Sequence, residues 1–384
     1  MAPAACAAVT GPTDRQHRRG PAARALLILP AGIGLVAGID AGLVMLDAWP
    51  PMPAAGFAEQ HGALMVLGFL GTLISLERAV ALGQRAGFLA PALLGAGGLL
   101  LLAEQLLAAR LLLCLGVAAL CVLLVPLWRR QRDDAVLLTA LGAACLLGGT
   151  LLWAGGADVA LVVPWWAGFV VLTIVGERLE LARLALPPTA ARDLMLVGTA
   201  CAAAILATTL WPRGGGVAMG ALVLVLAGWL AGYDIARRTV RSSGLPRFAA
   251  VCMLSGQVWL AVAGTIWLTQ SPVVDGAAYD AVVHALFLGF AMSMVFAHAA
   301  IILPAVTRIP LPYRRAMWLP WVVLQASVLL RLYGGDLHAS ELARRLGGAG
   351  NGVALVLFVL VAVGSAAAAR RRLSRDTQPA EVTS

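Results

Sequence analysis

Apolar residues run along most of this chain in stretches of about 16–25, separated by short breaks rich in Pro, Gly and charge. At about 1.5 Å per residue, such a run matches the roughly 30 Å hydrocarbon thickness of a bilayer. A helix on a soluble domain would instead show a polar face every third or fourth position. Marking the runs predicts twelve spans, at approximately 25–47, 61–83, 88–103, 107–127, 135–153, 160–183, 194–211, 217–236, 247–268, 280–304, 316–333 and 347–369. Helices satisfy their own backbone polar groups in lipid, so the predicted fold is all-α, a polytopic transmembrane helix bundle. Residues 1–24 read as a disordered basic tail, 25–369 as one transmembrane domain and 370–384 as a basic, polar tail. The run from Ala25 to Met45 is longer than the apolar core of a signal peptide and reads as a retained first span. No six-plus-six repeat stands out.

Composition strengthens the membrane reading. The chain is 61% hydrophobic and 12% charged, with mean hydropathy +0.89, well beyond the roughly 45–50% apolar content of an ordinary soluble domain. A net charge of +9 raises the question of a nucleic-acid partner. That would need basic side chains gathered on one solvated face, and here they are spread among the breaks. Every basic residue is Arg. Assigned to alternating sides of twelve spans, 23 of the 28 fall on one side and only Arg110, Arg213, Arg331, Arg344 and Arg345 on the other. Cytoplasmic loops carry the positive excess, so both termini are predicted to be cytoplasmic. Trp49, Trp153, Trp165, Trp211 and Trp267 fall near span ends, as an interfacial belt would require.

The six cysteines form no C-x-x-C or C-x-x-C-H pattern, which argues against a zinc ribbon or covalently attached haem. Ionisable groups inside spans are costly and therefore functional candidates. His61 opens span 2 and His284 lies near the start of span 10; both spans run in the same direction, which sets the two imidazoles at similar depth near the outer face. Two neutral imidazoles on facing helices suit axial ligation of a haem iron. They equally suit interfacial histidines bonded to carbonyls or water. His298 comes fourteen residues after His284, about 21 Å deeper, and so belongs to another layer, as a metal ligand or a proton-relay group. Met65, Gly68, Thr72 and Ser75 form a small or weakly polar stripe after His61, fit for a flat cofactor or a close-packed helix. Toward the inner face, Glu77-Arg78 and Glu177-Arg178 end spans 2 and 6, as ion pairs, a proton route or an anion site. Asp40 is a lone carboxylate in span 1, expected to find an N–H or hydroxyl on a neighbouring helix or to join a proton path.

The segments around His61, Met65, Gly68 and Phe69 and around His284, Ala285, Leu286 and Gly289, within twelve spans, resemble the NnrS family of bacterial membrane proteins. Arg308 and Arg331 are further points of similarity. The resemblance implies a haem- and copper-associated protein of nitric oxide metabolism and denitrification, distantly similar to the catalytic subunits of haem-copper oxidases and nitric oxide reductases. It implies haem b on His61 and His284, with a small gas ligand or a respiratory electron carrier as partner. If the protein is an enzyme, a haem-dependent oxidoreductase is implied. Oxidase-type subunits hold copper with further His on spans 6 and 7, which are absent here, so a binuclear centre is not expected. Two other classes fit the residues alone: a cofactor-free, proton-coupled transporter using Asp40, Glu77, Glu177 and His298, and an assembly subunit of a respiratory complex.

Overall fold

The computed structural model describes residues 26–47, 59–183, 186–187 and 189–376. Among them twelve helices are long and apolar enough to cross a membrane: α1 Ile28–Met45, α2 His61–Leu82, α3 Arg85–Leu102, α4 Leu106–Gln131, α5 Asp134–Ala154, α6 Val159–Ala182, α7 Ala190–Leu210, α8 Pro212–Tyr233, α9 Gly244–Gln270, α10 Gly276–Thr307, α11 Arg315–Leu337 and α12 Glu341–Arg371. No strand occurs among the described residues. The expected all-helical bundle is therefore observed, with twelve helices of membrane-spanning length and apolarity. The first 24 residues, expected to be a tail, and Trp49 lie outside the described residues.

Each helix lies within a few residues of its expected run, and the differences have local causes. Several helices begin earlier than hydropathy alone suggests, because their first turns carry polar residues that still make helical hydrogen bonds. Helix α8 starts on Pro212, whose missing N–H costs nothing in a first turn. The first turn of α12 is tied by Glu341, which accepts from Arg344 and Arg345, and its last turns continue to Asp376. Helix α10 starts at Gly276, so Asp280, placed by hydropathy at the edge of a loop, stands one turn inside the helix.

Small residues bring the helices together, as expected where lipid removes most of the hydrophobic drive. Gly34, Gly38 and Gly42 form one face of α1 against α2. A Cβ on Gly34 would stand 3.5 Å from the Gly68 backbone, and one on Gly38 would collide with the Met65 thioether. Gly68 is also met from the far side by Gly98 of α3. Much of the small stripe on α2 is thus a packing seam. Helices α2 and α6 are the most enclosed and α1 and α12 among the least, so the centre of the bundle is built around the two that carry the Glu-Arg dipeptides.

The tryptophan belt is corrected in part. Trp211 is exposed, but Trp153 and Trp267 are buried between helices at 4% and 2% exposure. Position near a span end does not decide which face of the helix a side chain occupies. Three helices also contain wide, π-type turns, at Leu64–Gly71 in α2, Ala285–Met292 in α10 and Leu330–Leu337 in α11. Such turns shift every later side chain around the helix relative to a 3.6-residue period.

Candidate cofactor site between helices two and ten

His61 is the first residue of α2, and its ring rests on α1 because Gly42 offers no side chain there: a Cβ would stand 2.9 Å from His61 Cε1. One turn along α1, the Gly38 carbonyl accepts from His61 Nδ1 at 2.7 Å. On α10, His284 Nδ1 donates to the Asp280 carbonyl at 2.8 Å and lies 3.2 Å from that residue's Oδ1. A carbonyl oxygen can only accept, so both Nδ1 atoms carry the proton and both Nε2 atoms keep a lone pair. No donor among the described residues reaches either Nε2.

Both imidazoles line one cavity of about 290 Å³, close to the lower bound for small-molecule sites. Its walls come from α1, α2, α6, α10, α11 and α12, toward the end of the bundle at which His61 begins α2. They are mainly apolar, including Met65, Phe69, Trp166, Phe287 and Leu355, with Gly42, Gly62, Gly348 and Gly352 contributing bare backbone. Polar atoms enter from Glu59, Tyr279, Asp280, Arg331, Arg344 and Asn351.

Arg331 of α11 is 7% exposed and grips the Asp280 carboxylate with two hydrogen bonds, Nε to Oδ2 at 2.8 Å and Nη2 to Oδ1 at 2.7 Å. Its room comes from α12, where a Cβ on Gly347 would strike the Arg331 backbone. Asp336, also on α11, faces the same carboxylate, and its Oδ2 is buried with no hydrogen-bond partner among the described residues. Sequence reading noted Arg331 but missed its partner. The i, i+4 spacing of Asp280 and His284 was the available signal.

His298 belongs to a different layer. Its Nδ1 donates to the Met294 carbonyl at 2.6 Å, and its Nε2 lies 2.5 Å from Nη2 of the buried Arg178. Both ring nitrogens are thus engaged within the protein, unlike those of His61 and His284. Arg178 Nη1 also meets the Met253 sulfur at 2.9 Å. Beside this pair, Arg78 forms a hydrogen-bonded ion pair with Glu177 and lies 3.6 Å from Glu77. The two Glu-Arg dipeptides therefore meet through Arg78 and Glu177 between α2 and α6, while Arg178 turns to His298 on α10.

Asp40 does not join either layer. Its Oδ2 is buried and has no hydrogen-bond partner among the described residues, so the expected N–H or hydroxyl is not found for that atom. His338 lies in the exposed turn after α11, edge-on to Tyr333. Among the described residues no three His, Cys, Asp or Glu side chains converge as a metal-holding group. A two-histidine arrangement needs only two.

Fold and site define a bundle of helices long and apolar enough to cross a membrane, with a cavity lined by two histidines. A family described as a domain of unknown function, DUF8744, matches residues 24–367, and the chain belongs to it. No curated protein and no solved structure matches the chain.

Proposed function

We propose that this is a haem-binding protein of the bacterial cytoplasmic membrane, NnrS-like in character, that carries electrons in nitric oxide or other respiratory-gas metabolism. One observation carries the reading: His61 and His284 line the same cavity, each with Nδ1 committed to a carbonyl and Nε2 left as an unpartnered lone pair. Metal-ligating histidines characteristically donate the other ring nitrogen to a carbonyl or carboxylate, which fixes tautomer and ring orientation. The apolar walls, the bare glycine backbone and the arginines at the rim suit a flat, largely apolar macrocycle with acidic side chains. Haem bound there would supply one-electron chemistry, its potential set by its surroundings. His61 and His284 would both hold it, which would favour electron transfer over direct binding of a gas.

The orientation belongs to this proposal. Arg130 of α4 reaches the carbonyls at the end of α2, Arg183 pairs with Asp133, and Arg314 bonds Ser365. At the other end, Arg331 meets Asp280 and Arg345 meets Asp47. The arginine-rich ends thus share one side of the bundle, the side that the positive-inside rule makes cytoplasmic. Both termini then face the cytoplasm and the His61–His284 cavity faces outward.

The test is the reduced-minus-oxidised spectrum of the protein purified in mild detergent from haem-replete cells. Low-spin b-type bands are expected, lost in both His61→Ala and His284→Ala. A protein without bands would defeat the proposal, and proton-coupled uptake by haem-free vesicles would assign it to the transporters.

A further inference from the structure

The two histidines are alike in their carbonyl bonds and unlike in everything beyond them. His61 Nδ1 meets only the uncharged Gly38 carbonyl, across the α1–α2 interface. His284 Nδ1 meets a carbonyl and, 3.2 Å away, the Asp280 carboxylate on the same helix face. Asp280 is not free to turn away, because Arg331 holds it at both oxygens and is itself enclosed by α12. A fixed anion on Nδ1–H shifts the imidazole toward imidazolate and strengthens it as a donor.

We infer that Asp280, clamped by Arg331, is the positioning residue that fixes His284 and raises its donor strength, making the two-histidine site electronically asymmetric with His284 the stronger ligand. The inference rests on the haem reading above and deepens it. A stronger, more anionic ligand favours the oxidised iron, so the charge of Asp280 holds the potential down while that of Arg331 opposes it. Arg331 thereby limits how much anionic character Asp280 confers on the ring.

Other charges face this group. Tyr279 and His284 come from its own helix, Arg331 and Asp336 from α11, Arg344 from α12, and Glu59 and His61 from the α2 end. Among these, only Asp280 is within hydrogen-bonding distance of a candidate ligand's Nδ1.

The test is a redox titration of the detergent-purified full chain, monitored at its own absorption bands. Asp280→Asn leaves an oxygen able to accept from Nδ1–H and removes the charge. At a fixed poise its reduced-to-oxidised ratio should rise at least tenfold, an upward shift of about 59 mV for one electron. Arg331→Gln, which leaves the carboxylate uncompensated, should move the ratio the opposite way. Opposite signs are not what two merely structural lesions give. Unaltered potential in Asp280→Asn with its bands intact overturns the inference and leaves the haem reading standing; absence of bands in the parent protein overturns both. Because Asp280→Asn leaves Arg331 unpaired and can impair folding, a second measurement uses the unaltered protein. Near-infrared magnetic circular dichroism of the oxidised form should place its charge-transfer band between those of bis-imidazole and imidazolate-ligated haem, and an ordinary bis-imidazole band overturns the inference.

Discussion

Gly42→Ala is the smallest change that reaches the candidate site through the fold. The added Cβ would stand 2.9 Å from His61 Cε1, 3.3 Å from Nδ1 and 3.6 Å from Nε2. Carbon atoms pack at about 3.5–4.0 Å, so the ring must retreat from α1 by roughly 0.6 Å or more. The hydrogen bond it makes to Gly38, on the same helix one turn away, starts at 2.7 Å, and a retreat of that size takes it beyond the roughly 3.2 Å limit for an N–H···O bond. Losing that bond costs about 1 kcal/mol, and overpacking the contact costs about 1–3 kcal/mol more. The combined loss of about 2–4 kcal/mol is shared between stability and cofactor retention, and each 1.4 kcal/mol taken from retention is about tenfold in affinity. Gly32→Ala is the control on the same helix, because nothing stands within 4 Å of its new Cβ. The assay is the thermal midpoint in detergent together with the haem-to-protein ratio for both variants. If Gly42→Ala matches Gly32→Ala in both readouts, the glycine face of α1 does not position His61 and the reasoning fails.

Two further outcomes are expected from the rest of the bundle. Glu177→Gln removes the main partner of Arg78 where both side chains are enclosed, 18% and 12% exposed; breaking such a pair costs about 3–5 kcal/mol. Glu77 at 3.6 Å offers partial compensation, so a lowered thermal midpoint at the weaker end of that range is expected, largely restored in the double variant Glu177→Gln/Arg78→Met; a single variant as stable as the parent would show the pair to be dispensable. For sidedness, Ser242→Cys and Asp275→Cys, each on an exposed turn and each in a Cys6→Ser background, are treated with an impermeant maleimide on intact spheroplasts. Asp275→Cys should label and Ser242→Cys should label only after permeabilisation, and the reverse pattern would invert the proposed orientation.

How much was legible in the sequence depended on the kind of interaction. Span number and position were readable because the bilayer imposes a length that hydropathy reports directly. The arginine distribution set Arg110, Arg213, Arg331, Arg344 and Arg345 apart from the other 23; in the bundle Arg331 pairs with Asp280 beside His284, whereas Arg130 reaches the far end of α2 from His61. What hydropathy cannot report is which helix neighbours which. The bond from His61 to Gly38, the clamp of Arg331 on Asp280 and the crossing of the two Glu-Arg dipeptides are all contacts between helices, separated by 23, 51 and 99 residues in the chain. That Asp280 stood at the very start of its expected span had a simpler cause: a helix that begins four residues before the hydrophobic run carries polar side chains into the bundle unnoticed. Asp40 shows the same limit from the other direction, since a carboxylate in a span suggests a partner that Oδ2 does not find.

The π-type stretches explain why the two candidate ligand helices resemble each other without a repeat of the whole chain. In α2 the stretch Leu64–Gly71 and in α10 the stretch Ala285–Met292 are both eight residues long and both carry Leu-Gly-Phe at the same register, Leu67-Gly68-Phe69 and Leu288-Gly289-Phe290. The shared glycine has the same physical use in each. Gly68 lies against the backbones of Gly34 and Gly98, and a Cβ on Gly289 would collide with the Trp259 ring of α9. The shared phenylalanine is buried in both. Counted from the start of each stretch, Glu77 and His298 then fall at equal distances, thirteen residues on. Each wide stretch rotates the remainder of its helix by a similar amount, so the inner polar groups of both helices stay matched although neither obeys an uninterrupted α-helical period. One local device, used twice, gives the two helices the same register from the wide stretch to Glu77 and His298, the polar side chains that lie beside Arg78 and Arg178.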